Sequence, residues 1–345
     1  MYEDAVRHTN NSTKNSAMAT GGVTATGLGK RFGDLWALRD LDLDVSPGSV
    51  LGLLGHNGAG KTTAIRILTT LSVPTEGTAT VAGIDVVADP QAVRQRIGVA
   101  SQAATVDGLM SARKNLVMVA RLHDASKRDA VRRADELLER FDLATSADQL
   151  VKTFSGGMRR RLDLAASIVA LPEVLFLDEP TTGLDPRSRN QLWEMLRDLT
   201  RTGTTIILTT QYLEEADHLA DAVVVLDHGR TVAHGTPDDL KARIGTDRVE
   251  VTLASADELD GLTRATASFA SNAPDFDPEL LVATVPVVEG TRLMDVMRAL
   301  DAAGVDAIDL NRREASLDDV FLSLTGHRGS DDDDSPAQEA AEVHA

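Results

Sequence analysis

Hydrophobic positions along the chain fall into two rhythms, and the change from one to the other marks out its parts. The apolar runs Val50-Leu51-Gly52-Leu53-Leu54, Ile97-Gly98-Val99-Ala100, Val174-Leu175-Phe176-Leu177 and Thr204 to Leu208 read as strands. Four unbroken apolar residues, as at 174–177, suit a buried strand of a parallel sheet. Helical patterns lie between them. Thr62 to Thr70 opens one helix, and Ala130 to Phe141 is amphipathic, with Val131, Ala134, Leu137, Leu138 and Phe141 near helical spacing. Residues 23–102 alternate strands with a helix, residues 103–171 are mainly helical, and residues 172–245 return to strand–helix alternation. The pattern predicts an α/β core over 23–245 with a helical subdomain over about 103–171.

From residue 246 the rhythm shortens. Arg248 to Leu253 and Leu280 to Val287 alternate as strands, and Leu293, Val296, Met297 and Leu300 share one helical face. Val305 to Leu310 reads as another strand. Ser316 to Leu324 opens on Ser-Leu-Asp-Asp, which has the form of a capping box. Residues 246–326 are therefore expected to form a small C-terminal α+β accessory domain. Its last helix offers Val320, Phe321 and Leu324 as apolar contacts for a partner. Residues 1–22 and 327–345 read as disordered tails, the second carrying the acidic run Asp331 to Asp334.

Candidate chemistry sits at the ends of the apolar strands. Residues Gly55, His56, Asn57, Gly58, Ala59, Gly60, Lys61, Thr62 and Thr63 follow one strand and open a helix. Gly55, Gly60, Lys61 and Thr62 fit the phosphate-binding pattern G-x-x-x-x-G-K-[ST]. Glycines let successive N–H groups converge on phosphate oxygens, and the helix N-terminus adds partial positive charge. Lys61 supplies a point charge, and the Thr62 hydroxyl is a ligand for Mg²⁺. Asp178 and Glu179 end the strand over 174–177, where α/β sheets place ligands. Asp178 is expected to hold Mg²⁺ and Glu179 to polarise the water that attacks the γ-phosphate of ATP. The fold class is thus a P-loop ATPase core with a helical subdomain, plus the α+β unit.

A third motif reads Phe154-Ser155-Gly156-Gly157-Met158-Arg159-Arg160-Arg161-Leu162. Ser155 is a natural N-cap, and Gly156 and Gly157 leave N–H groups uncovered at a helix start. Placed before the Asp178-Glu179 pair, it resembles the signature of ABC-transporter ATPases, with Met158 where many members have Gln. The resemblance runs along most of 23–245. It implies a nucleotide-sandwich dimer in which Ser155, Gly156 and Gly157 bind the ATP held by a second copy. It further implies that Phe32 stacks on adenine, that Gln102 senses Mg²⁺ and the γ-phosphate, and that Asp185 lies in the loop crossing the dimer interface.

One position departs from that family's usual pattern. After the strand ending at Leu208 the chain reads Thr209-Thr210-Gln211-Tyr212-Leu213-Glu214-Glu215-Ala216-Asp217, with Gln211 where most members have His. Gln211 can donate a neutral amide N–H but cannot become cationic. Gln there also occurs in the drug-resistance branch. The closing phrase Leu317 to Gly326 resembles the C-terminal motif of daunorubicin-resistance-type exporters as well.

Composition narrows the partners. The chain has 345 residues and a net charge of −18, which disfavours a general nucleic-acid binder. Without cysteine it can form neither a disulfide nor a Cys-ligated metal site, and no metal other than Mg²⁺ is expected. Residues 1–20 lack the apolar core of a signal peptide, and no apolar stretch is long enough to span a bilayer. The resemblance then implies an ATPase subunit at the cytoplasmic face of the membrane, working with a separate integral membrane permease. The expected cargo is a hydrophobic drug or antibiotic. Export of a lipid or polysaccharide is the alternative. A non-transport ABC ATPase is less favoured, because such relatives typically carry paired ATPase units, coiled coils or zinc-binding cysteines.

Overall fold

The structure, a computed structural model, describes residues 21–101, 105–243, 247–288, 290–314, 316–317 and 319–321. Gln102, Leu324, residues 1–20 of the tail expected over 1–22 and the expected tail over 327–345 lie outside the described residues.

The chain opens with the strands β1 (Val23–Phe32), β2 (Leu35–Val45) and β3 (Val50–Leu54), then helix α1 (Lys61–Leu68). Strands β4 (Glu76–Val81) and β5 (Ile84–Asp85), helix α2 (Pro90–Arg94) and strand β6 (Ile97–Ala100) follow. The helical stretch comprises α3 (Ala112–Leu122), α4 (Lys127–Arg140) and α5 (Gly156–Ser167). Alternation then resumes with β7 (Val174–Asp178), α6 (Pro186–Arg201), β8 (Thr205–Thr210), α7 (Leu213–Leu219), β9 (Ala222–Asp227), β10 (Arg230–Gly235) and α8 (Pro237–Arg243). The C-terminal unit holds β11 (Asp247–Leu253), α9 (Leu259–Thr266), β12 (Asp275–Asp277), β13 (Val282–Val287), α10 (Leu293–Ala303) and β14 (Ala307–Glu314).

Three sheets organise these elements. The central one has the order β10-β9-β3-β8-β7-β6, parallel except for β10 at one edge. Every residue of β3 and of β8 is buried, as expected for inner strands covered on both faces. An antiparallel sheet, β2-β1-β4-β5, packs its apolar residues with those of α1 and the central sheet. On the other face, α3, α4, α5 and α6 share a core with the same strands. The third sheet, β12-β13-β11-β14, is antiparallel and closes its own core with α9 and α10.

Several boundaries differ from expectation for local reasons. The strand expected from Leu280 begins at Val282, because the Asp277 carboxylate captures the N–H groups of Glu279 and Leu280 in a turn. The strand expected from Val305 begins at Ala307. Gly304 caps α10 in the left-handed conformation, and the Val305 N–H donates to Leu300 O. On α4 the buried stripe is Ala130, Ala134, Leu137 and Leu138, which leaves Val131 exposed one residue off the stripe. Met297 is likewise exposed, beside buried Val296 and Leu300.

The end of the described chain is the largest departure. Leu317, Val320 and Phe321 do not face outward. They are buried with Leu54, Leu213, Ala216, Val223, Val225, Ala233 and Leu240 of the ATPase core, and Phe321 is only 3% exposed. The expectation that Val320 and Phe321 are contacts for a partner is therefore corrected. Three apolar side chains on one helical turn gain more by covering β9 and the edge strand β10 than by meeting solvent. Arg248 and buried Asp319 form an ion pair at 3.0 Å that ties this turn back to β11.

Candidate active site

The loop between β3 and α1 wraps so tightly that its glycines are dictated by packing. A Cβ on Gly55 would stand 2.5 Å from Leu226 O and 2.7 Å from the Ala59 Cβ. Gly60 adopts φ +106, and a Cβ there would meet Ala37 O at 2.7 Å. Lys61, at the first turn of α1, is 5% exposed. Its ammonium donates to Gly55 O at 2.5 Å and to His56 O at 3.1 Å. Burial lowers its pKa, opposed by the nearby charges of Glu179 and Asp178. The Lys61 ammonium stands 3.9 Å from the Glu179 carboxylate, joining the ends of two strands that are neighbours of β8.

Asp178 and Glu179 emerge where β7 ends. Thr209 at the end of β8 donates to Asp178 at 2.5 Å, and the Thr62 hydroxyl lies 3.5 Å from the other Asp178 oxygen. These hard oxygen donors suit Mg²⁺, which prefers carboxylate, hydroxyl and water ligands. Glu179 adopts φ +46, uncommon for a residue with a side chain. Its N–H bonds to Thr209 O at 3.1 Å and its carboxylate accepts from Thr182 at 3.3 Å. Backbone strain of this kind collects at working sites.

The remaining expected residues divide into two groups. Gln211 lines a small recess with Leu54, Gly55, His56, Leu213 and Phe321, so it belongs to the phosphate-loop side. Asn57, Gly58 and Thr62 are exposed on that loop, and Thr63 is partly buried. Phe32 is 53% exposed, and the Lys30 ammonium lies over its ring, 5.1 Å from the centroid. Ser155 caps α5 by accepting from the Met158 N–H at 3.2 Å, and Ser155 and Gly156 are exposed. A Cβ on Gly157 would strike the Ser188 hydroxyl at 2.7 Å, which packs the start of α5 against the start of α6. Asp185 caps α6, accepting from the Ser188 N–H at 3.0 Å and its hydroxyl at 2.6 Å, and these bonds lower its pKa.

Two neighbours of the site have no counterpart in the sequence reading. Arg160, the middle arginine after the signature, donates to Ser101 O, Asp178 O, Glu179 O and Pro180 O at 2.7–3.2 Å. It thereby clamps the turn that carries both carboxylates to α5. A run of three arginines on a helix was the available signal, but nothing in it distinguishes the inward one. Glu215 on α7 is fully buried, and burial pushes its pKa up to about 7. The Trp193 indole N–H reaches it at 3.4 Å, and Thr210 and Thr181 also bear on it.

A glycine-rich loop feeding a helix, a buried lysine and two strand-end carboxylates on a largely parallel sheet define a P-loop ATPase. A family profile described as ABC transporter matches residues 38–182. The chain is 51% identical to the daunorubicin resistance ATP-binding protein DrrA2 of Streptomyces coeruleorubidus, over 92% of this chain and 98% of that one. It is 46% identical to the daunorubicin/doxorubicin resistance ATP-binding protein DrrA of Streptomyces peucetius, over 94% of this chain and 97% of that protein. Among solved structures it resembles cbiO1 from Clostridium perfringens, part of the ABC transporter complex cbiONQ. That match has a TM-score of 0.60 and 25% identity, over 64% of this chain and 90% of that one. The chain belongs to the ABC transporter ATP-binding proteins, in their daunorubicin-resistance-type group. Proteins of this family are ATPases that pair as dimers and act with a membrane permease. Among the described residues no helix is long and apolar enough to cross a membrane.

Proposed function

We propose that this chain hydrolyses MgATP at sites shared between two copies, and that the cycle drives export of a hydrophobic drug or antibiotic through a separate permease at the cytoplasmic membrane face. The observation that carries the catalytic part is the convergence of Lys61, Thr62, Asp178 and Glu179 within a few ångströms past the carboxyl ends of the inner strands β3 and β7. Lys61 and the N–H groups of residues 57–63 hold the phosphates. Thr62 and Asp178 hold Mg²⁺, which neutralises phosphate charge when bound. Glu179 orients the attacking water and takes its proton. Gln211 donates to the γ-phosphate, and Phe32 stacks on the base. Ser155, Gly156, Gly157 and Asp185 serve the site of the second copy. Gln102 is assigned to Mg²⁺ by family resemblance.

Residues 23–245 form the nucleotide unit in this reading, with 103–171 as its helical subdomain and 246–326 as an accessory unit. Relatives named for daunorubicin resistance support the cargo class. A groove of about 400 Å³ between α3, α5 and Ile97, Gly98 and Val99 of the edge strand β6 suits a permease segment, which would touch the helical subdomain and the ATPase core together.

Glu179→Gln tests the catalytic assignment, since it keeps side-chain shape and removes the base. Phosphate release should fall at least a hundredfold while ATP binding and an ATP-induced dimer on gel filtration persist. Near-parental turnover would remove Glu179 from the catalytic role.

A further inference from the structure

The turn between β9 and β10 carries a side-chain cluster that ATP hydrolysis does not use. Asp227 closes β9, and His228 follows it in the left-handed region at φ +46, a conformation that costs a non-glycine residue energy. That conformation turns the imidazole of His228 towards the phosphate loop. The rings of His56 and His228 meet edge-to-face with centroids 5.2 Å apart. His56 Nε2 lies 2.9 Å from Asp227 Oδ1, and His228 Nε2 lies 3.8 Å from the same oxygen. One donor atom from each of the three residues falls within 4.8 Å of the others.

A purely structural pair needs one histidine on Asp227. Here a second imidazole, 77% exposed and able to turn into water, points its Nε2 at the same carboxylate. Two imidazoles and a carboxylate make the donor set of three-ligand zinc sites, whose fourth position stays open. Ligand atoms about 2 Å from a tetrahedral ion stand about 3.3 Å from one another, and the observed 2.9 and 3.8 Å lie on either side of that spacing. Imidazole nitrogens select zinc-class ions over Mg²⁺, which prefers oxygen.

The backbone around the cluster is already fixed. The Gly229 N–H donates to Ala59 O at 3.0 Å, tying the turn to the phosphate loop, and Gly229 O accepts from the Arg39 N–H of β2 at 2.7 Å. His56 also offers its carbonyl to the Lys61 ammonium at 3.1 Å. We propose that His56, Asp227 and His228 bind one zinc-class divalent ion, and that the bound ion clamps the phosphate loop in the form that holds Lys61 on its own carbonyls. Occupancy then opposes the movement of Lys61 onto phosphate and weakens MgATP binding. The site adds a second metal to a chain whose sequence suggested Mg²⁺ alone. The clamp rests on the phosphate-loop assignment above, whereas zinc binding does not.

The test uses the full-length, metal-free protein, with Zn²⁺ titrated against a chromophoric chelator. One zinc per chain is expected at micromolar affinity or tighter, weakened at least tenfold in His228→Gln and in Asp227→Asn, with circular dichroism confirming that both variants fold. X-ray absorption should show two imidazoles in the zinc shell. Parental zinc affinity in His228→Gln, or a shell without imidazole, overturns the site. With Mg²⁺ in excess and zinc at one per chain, MgATP affinity should fall at least threefold in the parent and not in His228→Gln. An unmoved MgATP affinity in a parent that holds zinc through these residues overturns the clamp. Failure of the phosphate-loop reading would look different: zinc would bind to a chain that holds no ATP in either state.

Discussion

The two ends of the nucleotide machinery are built in opposite ways. At the phosphate loop, Lys61 is buried and donates to its own loop's carbonyls, and Asp178 and Glu179 arrive from the end of β7, on the far side of β8. At the signature, Ser155 and Gly156 lie exposed on the first turn of α5, with their neighbour Gly157 close against Ser188 of α6. A helix start with a serine cap and bare N–H groups is prepared for an anion, and the side chains that would hold that anion's other oxygens cluster around Lys61. The contrast fits the dimer proposed above, in which each copy would bring one finished half-site and one unfinished half-site that the second copy completes.

The strongest way to break this comparison is to mix defects. Ser155→Arg should obstruct the signature half and Lys61→Ala should remove the phosphate half, each cutting ATP hydrolysis of its own homodimer by about a hundredfold or more. Mixed together, the two chains can form one composite site free of both substitutions, so phosphate release should reappear in the mixture. Full activity of either single variant would show that each copy works alone.

A smaller effect sharpens the phosphate-loop side. Gln211 shares a recess with Gly55 and His56, and its amide is a neutral donor. Gln211→Ala should slow kcat at saturating MgATP by about tenfold to a hundredfold, the loss of about 1–3 kcal/mol of transition-state interaction. Gln211→His should remain active, since imidazole can donate to the same oxygen. Parental kcat in the alanine variant would place Gln211 outside the working site, and an inactive histidine variant would mean that Phe321 and Leu213 have shaped the recess around the amide.

The last effect is on stability and concerns Glu215, buried on α7. Glu215 has its pKa raised by burial to about 7 from an ordinary 4.5. The folded chain therefore holds a proton that the unfolded chain releases, and stability declines as pH rises from about 4.5 through 7. The buried charge weakens the fold by an amount on the order of 3 kcal/mol above that range. Glu215→Gln should flatten the dependence, with urea midpoints of variant and parent diverging in the variant's favour between pH 5 and 8. Parallel curves would show that Glu215 does not change protonation there.

Legibility from sequence followed the range of the interactions. The phosphate loop was readable because its chemistry lies in nine consecutive residues, and the cap Ser155 because it bonds an N–H three residues on. The apolar runs of β3 and β7 were readable because both faces of an inner strand are covered. The exposed side of Val131 was misjudged because a helical stripe one residue wide of its true position fits the same letters.

What the sequence by itself determined is the set of local elements and the motifs carried on single turns. Only the tertiary structure decided which of three consecutive arginines holds the Asp178-Glu179 turn, that Asp227 meets His56 from 171 residues away, and that Phe321 lies in the ATPase core instead of facing a partner. The physical reason is that these choices depend on burial and on carbonyls brought together by sheet order β9-β3-β8-β7. Each of those strands is far from its neighbour in sequence, and no local pattern of polarity records who stands beside whom.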